Sequence, residues 1–199
     1  MTKPHNLCEE IYHEGRYDVK SADDGTVNVK SADGTQSWYL NSKRHRTDGP
    51  AIVRADGSQE WFVNGKRHRL DGPAIEDWDG SEQWWVNGAR HRVGGPATTW
   101  AHGEQEWWFK GNRHRADGPA VTHPDGMQEW WVDDELHRVD GPARTFKDGS
   151  QWWAQHGKFH RTDGPALVEA NGTREWFING RKVDELTVML LKYSGEVEE

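Results

Sequence analysis

The 199-residue chain has a single cysteine, Cys8, which excludes an intramolecular disulfide framework and a thiolate zinc site. No apolar stretch approaches the ~20 residues that a membrane helix requires. The opening Met1-Thr2-Lys3-Pro4-His5-Asn6 also lacks the apolar run of a signal peptide. A soluble, cytoplasmic protein with no membrane contact is therefore expected. Aliphatic side chains are scarce too: Leu, Ile, Val and Phe supply 31 of the 199 positions, and the net charge is −8. That combination is ordinarily read as disorder. The acidic balance argues against wholesale binding to nucleic acid or anionic lipid, while leaving room for a local basic strip.

What the chain does have is tryptophan. Its 13 indoles can each bury ~150–250 Å², enough to replace an aliphatic core with aromatic contacts. Seven of them recur every 23 residues, at Trp38, Trp61, Trp84, Trp107, Trp130, Trp153 and Trp176. A period between 20 and 50 residues marks a stacked array of one supersecondary unit. A second motif keeps the same register, from His45-Arg46-x-Asp48-Gly49-Pro50-Ala51 to His160-Arg161-x-Asp163-Gly164-Pro165-Ala166, broken only by Gly94 at an Asp position.

Within the copy from Ala51 to Pro73, Ala51-Ile52-Val53-Arg54 favours a strand and Asp56-Gly57 a two-residue hairpin turn. Ser58-Gln59-Glu60-Trp61-Phe62-Val63 reads as the returning strand, and Asn64-Gly65 as a second turn. Strands joined by turns this tight are antiparallel neighbours. The stretch after Asn64-Gly65 is longer than one strand, so Arg-His-Arg-x-Asp-Gly-Pro is expected to loop out along one sheet edge. Adjacent aromatics point to opposite faces, which makes two ladders: the strict tryptophans, and a variable set of Tyr39, Phe62, Trp85, Trp108, Trp131, Ala154 and Phe177. Trp152 lies two residues before Ala154, on the same face, and can fill that gap. The fold class expected is all-β, an elongated single-layer antiparallel β-meander of tandem hairpin repeats with a C-terminal capping helix. Residues 1–35 read as a degenerate N-terminal repeat with turns at Asp24-Gly25 and Asp33-Gly34. Residues 36–182 form the array, and 183–199 a helix and acidic tail. In that tail Asp184 is the N-cap, Leu186, Met189, Leu190 and Tyr193 share one face, Leu186, Met189 and Leu190 are expected to cover the hairpin of Trp176, and Gly195 is the stop.

The unit Glu60-Trp61-Phe62-Val63-Asn64-Gly65-Lys66-Arg67-His68 resembles the MORN repeat, over about residues 35–182. Where MORN repeats carry His-Gly-x-Gly, this chain has His-Arg-x-Asp-Gly-Pro-Ala, a variant similar to arrays in phage, giant-virus and bacterial reading frames. The resemblance implies a twisted sheet of successive hairpins, with scaffolding, dimerisation or phospholipid contact as the known uses and no catalysis by the repeats themselves.

The residues exclude most other chemistries. Successive histidines lie two strands apart, roughly 9–10 Å, too far to share a metal whose ligands sit within ~2.2 Å. His68 and Asp71 are instead expected to hydrogen-bond and fix the loop. The motif's third position is Thr47, Leu70, Val93, Ala116, Val139 or Thr162, so no Ser or Cys nucleophile repeats beside the His–Asp pairs. No catalytic residue, metal site or cofactor is expected. The arginine line along the loop edge suits a single-stranded nucleic acid superficially, but each Arg can be offset by its loop Asp or stack on a Trp. The expectation is a non-enzymatic module that binds another protein through an extended aromatic surface at Phe62, Trp85, Trp108 and Trp131. The edge loop at Arg69, Arg92 and Arg115 is the alternative interface. The resemblance to viral arrays makes a bacterial host protein the expected partner, as target of an inhibitor or adaptor in the host cytoplasm. A module stacking glycan or nucleotide rings on its tryptophans stays open, as does homo-oligomerisation.

Overall fold

The computed structural model describes residues 17–194, in two units split between His91 and Arg92. Among the described residues the fold is all-β apart from one helix, α1 (Glu185–Ser194). No helix among the described residues is long and apolar enough to cross a membrane. In the first unit, β1 (Tyr17–Ser21), β2 (Thr26–Ser31) and β3 (Gln36–Leu40) form an antiparallel meander, with turns at the two expected Asp-Gly sites. The stretch Tyr12 to Arg16, read as part of that degenerate repeat, lies outside the described residues.

From there each repeat contributes four two-residue strands: β4 (Lys43–Arg44) closes the first, and β5 (Ile52–Val53), β6 (Gln59–Glu60), β7 (Phe62–Val63) and β8 (Lys66–Arg67) show the full pattern. β5 pairs with β6, and β6 with the next repeat's Ile75–Glu76, so two strands per repeat build the meander. The expected continuous strand through Trp61 is kinked at the indole. Beyond Trp61, β7 leaves the meander and pairs with β8 in a hairpin of its own. Backbone bonds from Arg69 N to Trp85 O (3.1 Å) and Gly88 N to Arg67 O (2.9 Å) stitch successive hairpins together. The second unit repeats this scheme from Thr98–Thr99 to Leu167–Val168 and closes with Arg174–Ile178 against Arg181–Val183.

The turns obey backbone sterics. Asn64 and Gly65 both have positive φ (51° and 80°), as a two-residue type I′ turn requires. Asp56-Gly57 is instead a three-residue loop: only Gly57 has positive φ, Gly57 N bonds Arg54 O, and the Asp56 carboxylate caps Ser58 N at 2.8 Å. The kink is filled by small residues. Ala51, Ala74, Ala97, Ala120, Ala143 and Ala166 are all fully buried, which explains why alanine closes every copy of the motif.

α1 begins as expected, with Asp184 Oδ1 accepting from Thr187 N (2.8 Å) and Thr187 Oγ1 (2.6 Å). Its packing is the reverse of the expectation. Val188 is the buried side chain, at 3 % exposure, whereas Leu186, Met189, Leu190 and Tyr193 face solvent. Val188 lies on the opposite side of the helix from the stripe, and it is that side which meets the fold. The expected stop, Gly195, lies outside the described residues.

Candidate functional site

The His-Arg loop is a self-contained knot. Arg69 lies 3.9 Å over the Trp61 ring, its Nε donates to Asp71 (3.2 Å) and its Nη1 to Pro73 O (3.0 Å). The stack recurs at 4.2 Å for Arg46 on Trp38, and at 4.2, 4.1 and 4.0 Å for Arg115, Arg138 and Arg161 on Trp107, Trp130 and Trp153. On the guanidinium's other side lies the loop glycine. A Cβ on Gly72 would sit 2.6 Å from Arg69 Cζ, so the planar cation is clamped between an indole and a bare Cα. At the exceptional copy Gly94 takes positive φ (78°), and Arg92 Nη1 still donates to Pro96 O at 3.0 Å.

The histidines do not bind their loop aspartates. Each described Nδ1 instead reaches across to the turn 19 residues on: Asn87 N donates to His68 Nδ1 (3.1 Å), His156 N to His137 (3.2 Å) and Asn179 N to His160 (3.0 Å). A ring nitrogen that accepts the amide of a positive-φ turn residue carries no proton itself; at His45 and His114 the same Nδ1 also lies 3.1 and 3.0 Å from the side-chain oxygen of Asn64 and Asp133. Burial, and for His137 the neighbouring His156, lowers the pKa of His137 and His160. The expected His–Asp bond fails because the arginine has already taken the carboxylate. Its hydrogen bond, foremost, lowers the pKa of Asp48, Asp117, Asp140 and Asp163.

The variable aromatic ladder is tied inward. Phe62 is 7 % exposed and offers no surface to a partner. Trp85, Trp108 and Trp131 are half-buried, and their indole N–H groups donate to Gln83 (3.3 Å), Glu106 (2.8 Å) and Glu129 (2.7 Å). Those three acceptors are buried, as is Glu60. Burial opposes ionisation of Glu60, but hydrogen bonds from Arg54 and Arg67 outweigh it and hold the carboxyl below its ordinary range. Arginines interleave with the rings: Arg67 lies 5.6 Å from Phe62 and 5.4 Å from Trp85, and Arg113 lies 5.1 Å from Trp108 and 5.4 Å from Trp131. At the copy lacking an aromatic at Ala154, Trp152 packs edge-on against Phe146 (4.7 Å) and Phe159 (5.6 Å), filling the gap as its spacing suggested.

The loop edge presents its carboxylates to solvent. Of the alternative interface residues, Arg69 and Arg115 keep side-chain exposures of 22 % and 25 %, turned in against tryptophan, while their partners Asp71 and Asp117 are 87 % and 85 % exposed. The edge is acidic outward rather than basic. Between successive loops lie open grooves: one of about 520 Å³ between the Arg46 and Arg69 loops, floored by Trp61, and two of about 450 and 470 Å³ between the Arg115, Arg138 and Arg161 loops, floored by Trp130 and Trp153. The motif's third residue stands on their rims, with Leu70 and Val139 at 75 and 73 % exposure; the same position in another copy, Val93, is 79 % exposed. The sequence had offered that position only as proof that no nucleophile repeats. It puts an apolar side chain at the exposed tip of an otherwise polar loop in four of the six copies. Among the described residues no group of three or more His, Cys, Asp or Glu side chains is placed to hold a metal ion. No protein-family model matches the chain, and no curated protein matches it.

Proposed function

We propose that the chain is a non-enzymatic array that binds another protein, and that recognition runs along the His-Arg loop edge rather than over the variable aromatic ladder. The carrying observation is the recurrence of near-equal grooves with a tryptophan floor, an apolar rim residue and an exposed carboxylate. Apolar contacts desolvated at the centre of such a surface supply affinity, and the rim carboxylates select a partner with Lys or Arg beside its apolar anchors. Kinship with the MORN variants of viral arrays belongs to this proposal, and it makes a bacterial host protein the partner to test first. The non-enzymatic reading is supported by the engagement of the loop groups: the histidines accept turn amides and the aspartates hold arginines. Stacking of glycan or nucleotide rings is disfavoured by the guanidinium already lying on the tryptophan faces.

The test is Val139→Asp, a change at an exposed tip that leaves the fold intact, read by capture of a defined partner from bacterial lysate and by circular dichroism. A loss of at least about tenfold in affinity is expected for a hot-spot contact. A folded Val139→Asp chain that binds as wild type, together with the equivalent result at Leu70, would move the interface elsewhere.

A further inference from the structure

The apolar stripe of α1 has no role in the fold described above. Leu186, Met189, Leu190 and Tyr193 are 63, 49, 61 and 82 % exposed, while Val188 on the opposite side is the buried residue. At 3.6 residues per turn the four fall on one face. We propose that this face pairs with α1 of a second copy of the chain, the two helices running antiparallel about a two-fold axis. This inference is independent of the loop-edge reading.

Three features select that occupant and that orientation. First, the stripe is symmetric about the midpoint between Met189 and Leu190. An antiparallel two-fold therefore sets Leu186 against the partner's Tyr193 and Met189 against the partner's Leu190, each contact occurring twice, as an isologous interface requires. Second, Glu185 in the first turn and Lys192 in the last lie seven residues apart on the same flank of the stripe. Antiparallel pairing brings Glu185 beside the partner's Lys192 at both ends, whereas a parallel two-fold puts the two charged flanks on opposite sides of the pair. Third, opposed helices place each dipole's positive end beside the other's negative end. The contact is small: one helix face per protomer falls below the ~1,200 Å² of a standard interface, so the pair belongs to the weak, concentration-dependent class.

Sedimentation equilibrium of the full chain, from micromolar to near-millimolar concentration, should show a mass rising from 22.9 kDa toward twice that value. Leu190→Glu puts a charge into the centre of the stripe and should raise the dissociation constant by at least about tenfold, with the helical signal and melting temperature unchanged because Leu190 is exposed in one chain. Should that variant lose its helix, the charge pair decides: Glu185→Lys alone and Lys192→Glu alone should each weaken the dimer, and the double exchange should restore it. A chain that stays monomeric throughout overturns the proposal and leaves the stripe to a different partner. A dimer indifferent to Leu190→Glu overturns it, and so does a double exchange no tighter than the single ones.

Discussion

Alanine in place of Gly72 should destabilise the array, and the sign of the effect is the informative part. Gly72 does not need positive φ, so the substitution tests space alone. Restricting the unfolded chain would by itself stabilise the protein by about 0.4–1 kcal/mol. Against this, the new Cβ would sit 2.6 Å from Arg69 Cζ and 2.8 Å from Nε and Nη2. A flexible side chain can retreat, but only by abandoning what it does. Arg69 would forfeit its stack on Trp61, worth ~0.5–2 kcal/mol, and its bond to Pro73 O, worth about 1 kcal/mol. Its pairs with Asp71 and Glu76 reach well-exposed carboxylates and add little. The net expectation is a loss of about 1–2 kcal/mol, measured by urea unfolding followed by circular dichroism. Clearance is graded among the repeats, 2.6 Å at Gly72, 2.9 Å at Gly118 and 3.2 Å at Gly49, so the same change should matter less in that order. In an Arg69→Ala background Gly72→Ala should become neutral or stabilising. A stabilised Gly72→Ala, or a penalty that survives removal of Arg69, would refute the clamp.

Acid should loosen the histidine-pinned turns. The folded pKa of His137 and His160 lies below the ordinary 6.5, so their contribution is complete above pH 6.5 and is lost as pH falls from there through the folded values; melting temperature against pH should fall across that window, less steeply in His137→Asn. Asp184→Ala should remove the cap of α1, seen as a smaller helical signal with the strand signal retained. Trp108→Ala should destabilise by ~3–5 kcal/mol, since it opens a cavity and strips a donor from buried Glu106; a fully stable variant would show the ladder to be surface.

Legibility from sequence followed the range of the interaction. Asn64-Gly65 and Asp184 declare themselves because φ preference and capping are settled within a few residues. The arginine–tryptophan stack was available as the bland alternative to a nucleic-acid track, and it is what the structure contains. The kink at Trp61 was not legible, because a pattern of alternating side chains looks the same whether the strand runs on or changes partners. The role of His68 was missed for a similar reason: its partner is Asn87, 19 residues away, while Asp71 stands nearby with complementary chemistry. The face of α1 was misread because four apolar residues at helical spacing normally mark the buried side. Only tertiary packing reveals that Val188 fills that role.

The repeats carry a further signal when aligned with one another. Buried Glu60 answers to Arg54 and Arg67, and Glu106 answers to Trp100 and Trp108. At Trp152 the repeat's own acid is gone and Phe146 and Phe159 pack against the ring, while Arg144 still lies over the indole and Glu169 accepts its N–H. Variation at these positions is compensated within the core, as replacing a paired buried charge demands. The third loop position behaves differently. Leu70, Val93, Ala116 and Val139 differ in size and stand exposed, while the loop arginine beneath keeps its bond to the proline carbonyl. Differences there do not adjust to anything in the fold. They can vary without disturbing the arginine clamp beneath them, which is why the loop-edge proposal is tested at this position.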